Sequence, residues 1–274
     1  VPEGDTVFLT GRRLDDALAG RVLLRGELRH PRLSTVDLAG RAVLGVRSVG
    51  KHLLIRFDDG SSLHSHLRMD GAWQVGRPGQ RWRGPGHWVR AVLANAEREA
   101  VGFRLHDMAL LRTRDEPRLV GHLGPDLLDP AWDEGLVAEA AARLGRQADR
   151  ELGLALLDQT VMAGVGNLYR AEVCFLLGVS PWVRVSEVDP ASAVRLAHDL
   201  LSRNAWRPVR STTGDSRPAH RHWVYDRAGR PCLRCGAPVR SAAQGHGTGE
   251  RTVYYCPTCQ PGPHPAEPIS TLRR

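Results

Sequence analysis

The sequence predicts a multidomain α+β protein: an N-terminal antiparallel β-sandwich opened by a helix, then a helical domain, then a small C-terminal cysteine ribbon. Three observations predict it. Short β-rich segments with turn signals occupy residues 1 to 115, the apolar period turns helical after residue 130, and four of the five cysteines form two Cys-x-x-Cys pairs near the C-terminus.

Val7, Leu14 and Leu18, with charges between them, place an amphipathic helix over residues 5 to 19. Strand-like runs follow at Arg41 to Val49, Leu53 to Phe57, Ser62 to Leu67, Trp88 to Leu93 and Val101 to Leu105. Asp59-Gly60 between two of them is the pair favoured in a two-residue type I′ hairpin. Residues 116 to 130, rich in Pro, Gly and Asp, read as a linker. The helical domain, 131 to 221, holds candidate helices at Ala131 to Leu144, Glu151 to Gln159, Leu168 to Leu177 and Pro190 to Arg203, the last with proline in the first turn. A finger at 222 to 262 and a polar, Pro-rich, mobile tail at 263 to 274 complete the chain.

Cys232 with Cys235 and Cys256 with Cys259 have the spacing of a ribbon that holds one structural zinc ion, because two intervening residues let both thiolates of a knuckle reach one tetrahedral centre. The other reading, two disulfides, needs an oxidising compartment. Cys174 is left unpaired in the apolar run Val173 to Leu177, and the opening residues are charged from Glu3 and lack the apolar core of a secretory signal. A cytoplasmic protein is expected, and no run of eighteen apolar residues suggests a membrane span.

Lys+Arg number 38 against 30 Asp+Glu, a net charge of +8 that attracts a polyanion. Nearly all of it is arginine, which a GC-rich coding bias and a solvated basic surface also explain. Lys51 is the sole lysine, so that bias does not account for it. The loop Met162 to Arg170 has two glycines for a tight turn and Asn167 at the start of the next helix. Such a terminus suits a phosphate, and it equally suits a plain Asn cap. Pro2-Glu3-Gly4 reads either as an ordinary helix start or as a nucleophile. With residue 1 removed, the secondary amine of Pro2 could form a Schiff base, kept neutral by the positive end of the helix, and Glu3 could move protons beside it.

Taken together, Pro2-Glu3-Gly4-Asp5-Thr6-Val7, Gly50-Lys51-His52-Leu53-Leu54, Leu156-Leu157-Asp158-Gln159 leading to Gly164-Val165-Gly166-Asn167, and the ribbon ending Tyr255-Cys256-Pro257-Thr258-Cys259-Gln260 resemble the formamidopyrimidine-DNA glycosylase and endonuclease VIII family over residues 2 to 260. The opening is most similar to the endonuclease VIII-like branch of actinobacteria. The resemblance implies a β-sandwich, a helix-two-turn-helix domain and a zinc finger, acting as a monomer on damaged DNA. It implies a bifunctional DNA glycosylase and AP lyase of base excision repair. Pro2 would attack C1′, Glu3 would handle protons at the sugar, and Lys51, Asn167 and Arg251 would grip phosphates. Met69 matches the intercalating position that fills the gap left by an extruded base; taken alone, a methionine is more often core.

Three departures bear on function. Residue 1 is Val where the family begins with a removable Met, as a literally translated GTG start codon would produce; if Val1 stays, Pro2 is locked in an amide. The opposite-strand wedge segment of the guanine-lesion branch is replaced by Leu105 to Leu110, which points to oxidised pyrimidines or single-stranded lesions. The second carboxylate of related enzymes is Thr6 here. His64 and His66, alternating on one strand face, receive no function. Asp215 and Arg217 lie in a polar loop that is either a lesion cover or a connector. The competing class is a non-catalytic zinc-containing DNA-binding or damage-sensing protein.

Overall fold

The computed structural model describes residues 2–265, so Val1 and the tail beyond residue 265 lie outside the described residues. The chain forms two compact units, one running to Trp132 with Leu201–Pro208 added, the other comprising Asp133–Leu200 and the chain from Val209 on.

The first unit begins with helix α1 (Gly4–Leu18), whose Val7, Leu14 and Leu18 are buried as their spacing predicts. Eight strands follow: β1 (Arg25–Leu28), β2 (Val43–Val49), β3 (His52–Phe57), β4 (Ser61–His66), β5 (Ala72–Gly76), β6 (Val89–Ala94), β7 (Glu99–Phe103) and β8 (Asp107–Arg112). They make two four-stranded antiparallel sheets, in the orders β1-β6-β7-β5 and β2-β3-β4-β8. One core joins α1 to both sheets, through Leu14 and Leu18, Ile55, Phe57 and Leu63, and Ala91 and Leu93. Here lies the expected sandwich, with its opening helix.

Strands β1, β5 and β8 carry no period that the sequence displays. Arg25-Gly26-Glu27-Leu28 is polar, Ala72–Gly76 ends in glycine, and Asp107–Arg112 pairs with β4 along its length, His66 opposite Asp107 and Ser61 opposite Arg112. The hairpin also differs from expectation. Its loop is Asp58 to Gly60, three residues, with only Gly60 at positive φ (+77°), where a type I′ turn needs two such residues. Residues 116–130, expected as a linker, carry helix α2 (Pro117–Val120) and belong to the first unit. Buried Leu127 anchors the segment, and Asp126 accepts bonds from the Gly50 N–H (2.9 Å) and the Leu128 N–H (3.0 Å).

The second unit holds α3 (Glu134–Gly145), α4 (Leu152–Leu157), α5 (Asn167–Leu177), most of α6 (Pro190–Asn204) and the hairpin of β9 (Arg240–Gln244) and β10 (Arg251–Tyr255). Asp133 caps α3 by accepting from the Leu136 N–H at 2.9 Å, and Asp189 caps α6 by accepting from the Ser192 N–H at 2.9 Å. α4 is shorter than expected because Asp158 turns the chain, accepting from the Thr160 N–H at 3.0 Å. Gly178, at φ +73°, ends α5. Ala171 and Phe175 of α5 share a core with Val224, Val239, Val253, Cys232 and Cys256, so the ribbon is built onto that helix. Pro263 and His264, expected in the tail, are docked: Ser180 Oγ donates to the Pro263 carbonyl, and the His264 ring stacks on Tyr255 at 4.7 Å.

Candidate functional site

In the first unit, extended backbone at Glu3 leads into α1, and the Glu3 side chain is 1 % exposed. Its carbonyl accepts the first intrahelical bond, from the Val7 N–H (3.0 Å), while Pro2 is half-buried just before it. A carboxylate side chain at this end of a helix is favoured by the helix dipole. Asp5, which the sequence reading did not single out, is equally buried in the same turn. Its signal was available: a second carboxylate in the first turn of a helix.

Lys51 sits in the turn between β2 and β3, shaped by the Gly50 bond to Asp126. Burial holds its ammonium below the usual lysine range, and the Glu3 carboxylate opposes that shift. The fold therefore brings Glu3 and Lys51, remote in sequence, into one electrostatic neighbourhood.

Beside Lys51 lies a histidine cluster that sequence reading left without a role. His52 and His66 face each other across β3 and β4, with ring centroids 5.0 Å apart. His52 Nδ1 and His64 Nε2 share a 2.9 Å hydrogen bond. Burial pushes His52 down to about 3 and His66 down to about 4, so both rings are neutral at pH 7.

Met69 follows β4 in a tight turn, 66 % exposed rather than packed in a core. The turn is tied down at its neighbours, with Arg68 paired to Asp107 (2.6 Å) and Asp70 to Arg104 (3.1 Å). The segment Leu105 to Leu110 lies mostly in β8, with Met108 buried, rather than forming a projecting wedge.

In the second unit, Gly164 adopts φ +113° and permits the turn before α5, whereas Gly166, at φ −126°, is the residue preceding the helix. Gln159 stitches this loop by donating to the Leu157 (2.8 Å) and Val165 (2.9 Å) carbonyls. Asn167 is the first helical residue and not the cap. Its Nδ2 donates to the Thr252 carbonyl in β10 at 2.8 Å. That bond places Asn167 next to exposed Arg251, the neighbour of Thr252.

Two buried charges support this arrangement and were missed in the sequence. Arg170, fully buried, donates to Gln244 Oε1 (3.1 Å), to the Thr252 carbonyl (3.2 Å) and to Asn167 Oδ1. Glu172 accepts from the backbone N–H groups of Trp223, Val224 and Tyr225, each at 2.9 Å, and from the Thr212 hydroxyl. It thereby fixes both ends of the 212–223 loop, in which Asp215 and Arg217 pair with each other at 2.6 Å.

The four cysteine sulfurs lie within 4.8 Å of one another, with Cys235 and Cys256 3.5 Å apart and Cys232 and Cys259 3.9 Å apart. A tetrahedral ion with metal–sulfur bonds of about 2.3 Å requires separations of about 3.8 Å, so the four residues are positioned to bind one metal ion. Among the described residues no other His/Cys/Asp/Glu group is so arranged, and no helix is long and apolar enough to cross a membrane.

Known proteins match this chain along nearly its whole length. Residues 1–124 match the formamidopyrimidine-DNA glycosylase N-terminal domain, and residues 123–203 match the H2TH domain of the same enzymes. A probable endonuclease 8 2 of Streptomyces coelicolor is 55 % identical over 97 % of this chain and 96 % of its own length. The DNA-(apurinic or apyrimidinic site) lyase Nei2 of Mycolicibacterium smegmatis is 45 % identical over 95 % of this chain and 99 % of its own. Among solved structures, wild-type Lactococcus lactis Fpg complexed with an oxidised pyrimidine containing DNA superposes with a TM-score of 0.77 at 23 % identity, covering 95 % of this chain and 100 % of that one, and shows the shared fold.

Proposed function

We propose that this chain, which belongs to the formamidopyrimidine-DNA glycosylase and endonuclease VIII family and is a bifunctional DNA glycosylase and AP lyase of base excision repair, uses Pro2 as its nucleophile and Glu3 as its proton carrier. The observation that carries this reading is the burial of Glu3 at the head of α1, directly after Pro2 and within the field of Lys51. The Glu3 carboxylate lies within the field of the Lys51 ammonium, and the helix terminus disfavours a charged amine at Pro2.

The steps follow from that geometry. With Pro2 as the mature terminus, its nitrogen forms a bond to C1′ of the damaged nucleotide as the glycosidic bond breaks and the base leaves with the bonding electrons. Glu3 takes the proton released from the Pro2 nitrogen and delivers it to the ring oxygen as the sugar opens to an iminium. Loss of a C2′ proton then expels the 3′ phosphate, and a further elimination expels the 5′ phosphate. Lys51, Asn167 and Arg251 hold phosphates as charge and hydrogen-bond donors. Met69, exposed on a tethered turn, enters the space left by the extruded base.

Oxidised pyrimidines are the favoured lesions. Support comes from β8, which takes up the segment that would otherwise probe the opposite strand. The four cysteines would hold a single structural zinc, since four thiolate ligands would leave no open position for chemistry. The enzyme acts as a cytoplasmic monomer on damaged DNA.

Borohydride trapping tests the reading, with oligonucleotides carrying thymine glycol, 5-hydroxyuracil, 8-oxoguanine or an abasic site and intact mass recorded on the same sample. The expected result is an adduct on a chain beginning at Pro2, strongest with the oxidised pyrimidines. No adduct on any substrate with Pro2 free would overturn the mechanism and leave a non-catalytic damage-binding protein.

A further inference from the structure

The first unit contains a concavity of about 610 Å³ between the second half of α1, strand β5, the loop after it and the start of β7. It is a separate feature from the Glu3 and Lys51 neighbourhood. With a rise of about 1.5 Å per residue, Thr10 and Ala17 on its wall lie about 10 and 20 Å along the helix from Glu3.

Its lining is unusual in charge. Arg13, Arg77, Arg81, Arg83 and Arg98 supply five of its sixteen residues, well above arginine's share of a chain with 38 Lys+Arg in 274 residues. Coding bias alone spreads arginine over the surface and does not gather it around one hollow. All five are exposed, and among the described residues none forms an ion pair, whereas Arg25, Arg41, Arg56, Arg68 and Arg104 do. The two carboxylates in the lining pair with none of these five arginines. Asp16 pairs with Arg12 at 3.9 Å, and Glu99 accepts from Trp82 Nε1 at 2.6 Å and faces Arg25 at 3.6 Å. Two half-buried indoles, Trp73 and Trp82, complete the walls.

Unpaired guanidinium groups converging on a hollow repel one another, and the matching ligand is one that brings several negative charges. A single phosphodiester carries one charge and would leave most of the five arginines unmatched. Indole walls add affinity for flat aromatic bases. We propose that this hollow is a second nucleic-acid site, binding about three consecutive nucleotides of an undamaged single strand independently of the lesion site.

The intact chain is titrated with a single-stranded thymidine hexanucleotide while tryptophan fluorescence is followed. Three phosphate contacts at a salt slope of about 0.7 each should weaken binding roughly 20-fold between 50 and 200 mM salt. The triple variant R77A/R81A/R83A lies on an exposed loop, and its circular dichroism should match that of the parent. It should lose roughly ten-fold or more in affinity for the hexanucleotide while still excising a damaged base from a duplex. R251A, in the other unit, should bind the hexanucleotide like the parent. Unchanged binding by the triple variant would overturn the proposal, as would loss of hexanucleotide binding in R251A alone. Saturation by thymidine triphosphate but not by the hexanucleotide would make the hollow a free-nucleotide site and overturn it as well. Because the probe is undamaged, failure here leaves the glycosylase reading intact, and failure of borohydride trapping leaves this one intact.

Discussion

The two units hold their polar side chains by different means. In the first, Glu3 and Lys51 rest on a large shared apolar core between a helix and two sheets. In the second, the ribbon that presents Arg251 has a small core of which two metal-ligating cysteines, Cys232 and Cys256, are themselves part. Its remaining support is a pair of buried charges, Arg170 and Glu172, satisfied by hydrogen bonds from the ribbon and the loop before it. A large core tolerates local loss. A small one held by a metal and buried ions fails as a unit.

The sharpest test of that contrast is removal of a thiolate. Cys256→Ser, or chelation, should unfold the ribbon, since metal binding of this kind supplies on the order of 10 kcal/mol to folding. Hydrogen exchange should show protection lost over β9 and β10 and kept over β3 and β4. Retained protection in the ribbon would mean that its core suffices without the ion.

In the first unit, the matching change should affect chemistry and leave structure untouched. Glu3→Gln should lower base removal by roughly 10²- to 10⁴-fold with DNA affinity preserved, as expected for loss of an acid–base group. Single-turnover excision and a binding titration separate the two, and wild-type excision in the variant would remove Glu3 from the mechanism.

Next in size is Glu172→Ala, which strands three backbone N–H groups in the interior. Stability of the second unit should drop by about 3–5 kcal/mol, measured by urea denaturation. A loss below 1 kcal/mol would show that water takes over those donors.

The histidine cluster of the first unit predicts a pH effect of smaller size. His52 at about 3 and His66 at about 4 lie below their unfolded value, so the unfolded chain takes up more protons between roughly pH 6.5 and 4. Stability from these rings is therefore complete above pH 6.5 and is lost as pH falls towards 4, by at most about 1.4 kcal/mol per pH unit for each ring. Melting temperatures across that range should fall more steeply for the parent than for His52→Gln, and parallel curves would contradict the assignment.

The smallest effect belongs to Arg251→Ala. Removing one phosphate contact should lower the slope of log affinity against log salt by about 0.9. An unchanged slope would show that Arg251 touches no phosphate.

Much of this was legible in the sequence because it depends on local spacing. The cysteine pairs, α1, the strands β2, β3, β4, β6 and β7, and the start of α5 are periodic or motif-bound over a few residues. The exposure of Met69 and the closeness of Asn167 to the Arg251 strand are set by the fold, since spacing alone could not distinguish them from a core methionine and a helix cap. Strand β8 was missed because its partner β4 lies some forty residues away and supplies the hydrogen bonds that make Asp107–Arg112 a strand.

By itself, then, the sequence determined α1 and the strands β2, β3, β4, β6 and β7, the metal-binding ribbon and the Pro2-Glu3 head of α1. Each of these is written in neighbouring residues through thiol spacing, apolar period or the start of a helix. Tertiary structure decided which charged groups are buried, Glu3 beside Lys51 and Arg170 and Glu172 beneath the ribbon, and it set half-buried Asp126 behind Gly50. It also decided which arginines stay unpaired around a hollow. Burying a charge is tolerated only where partners converge on it, and those partners come from segments that only the folded chain brings together.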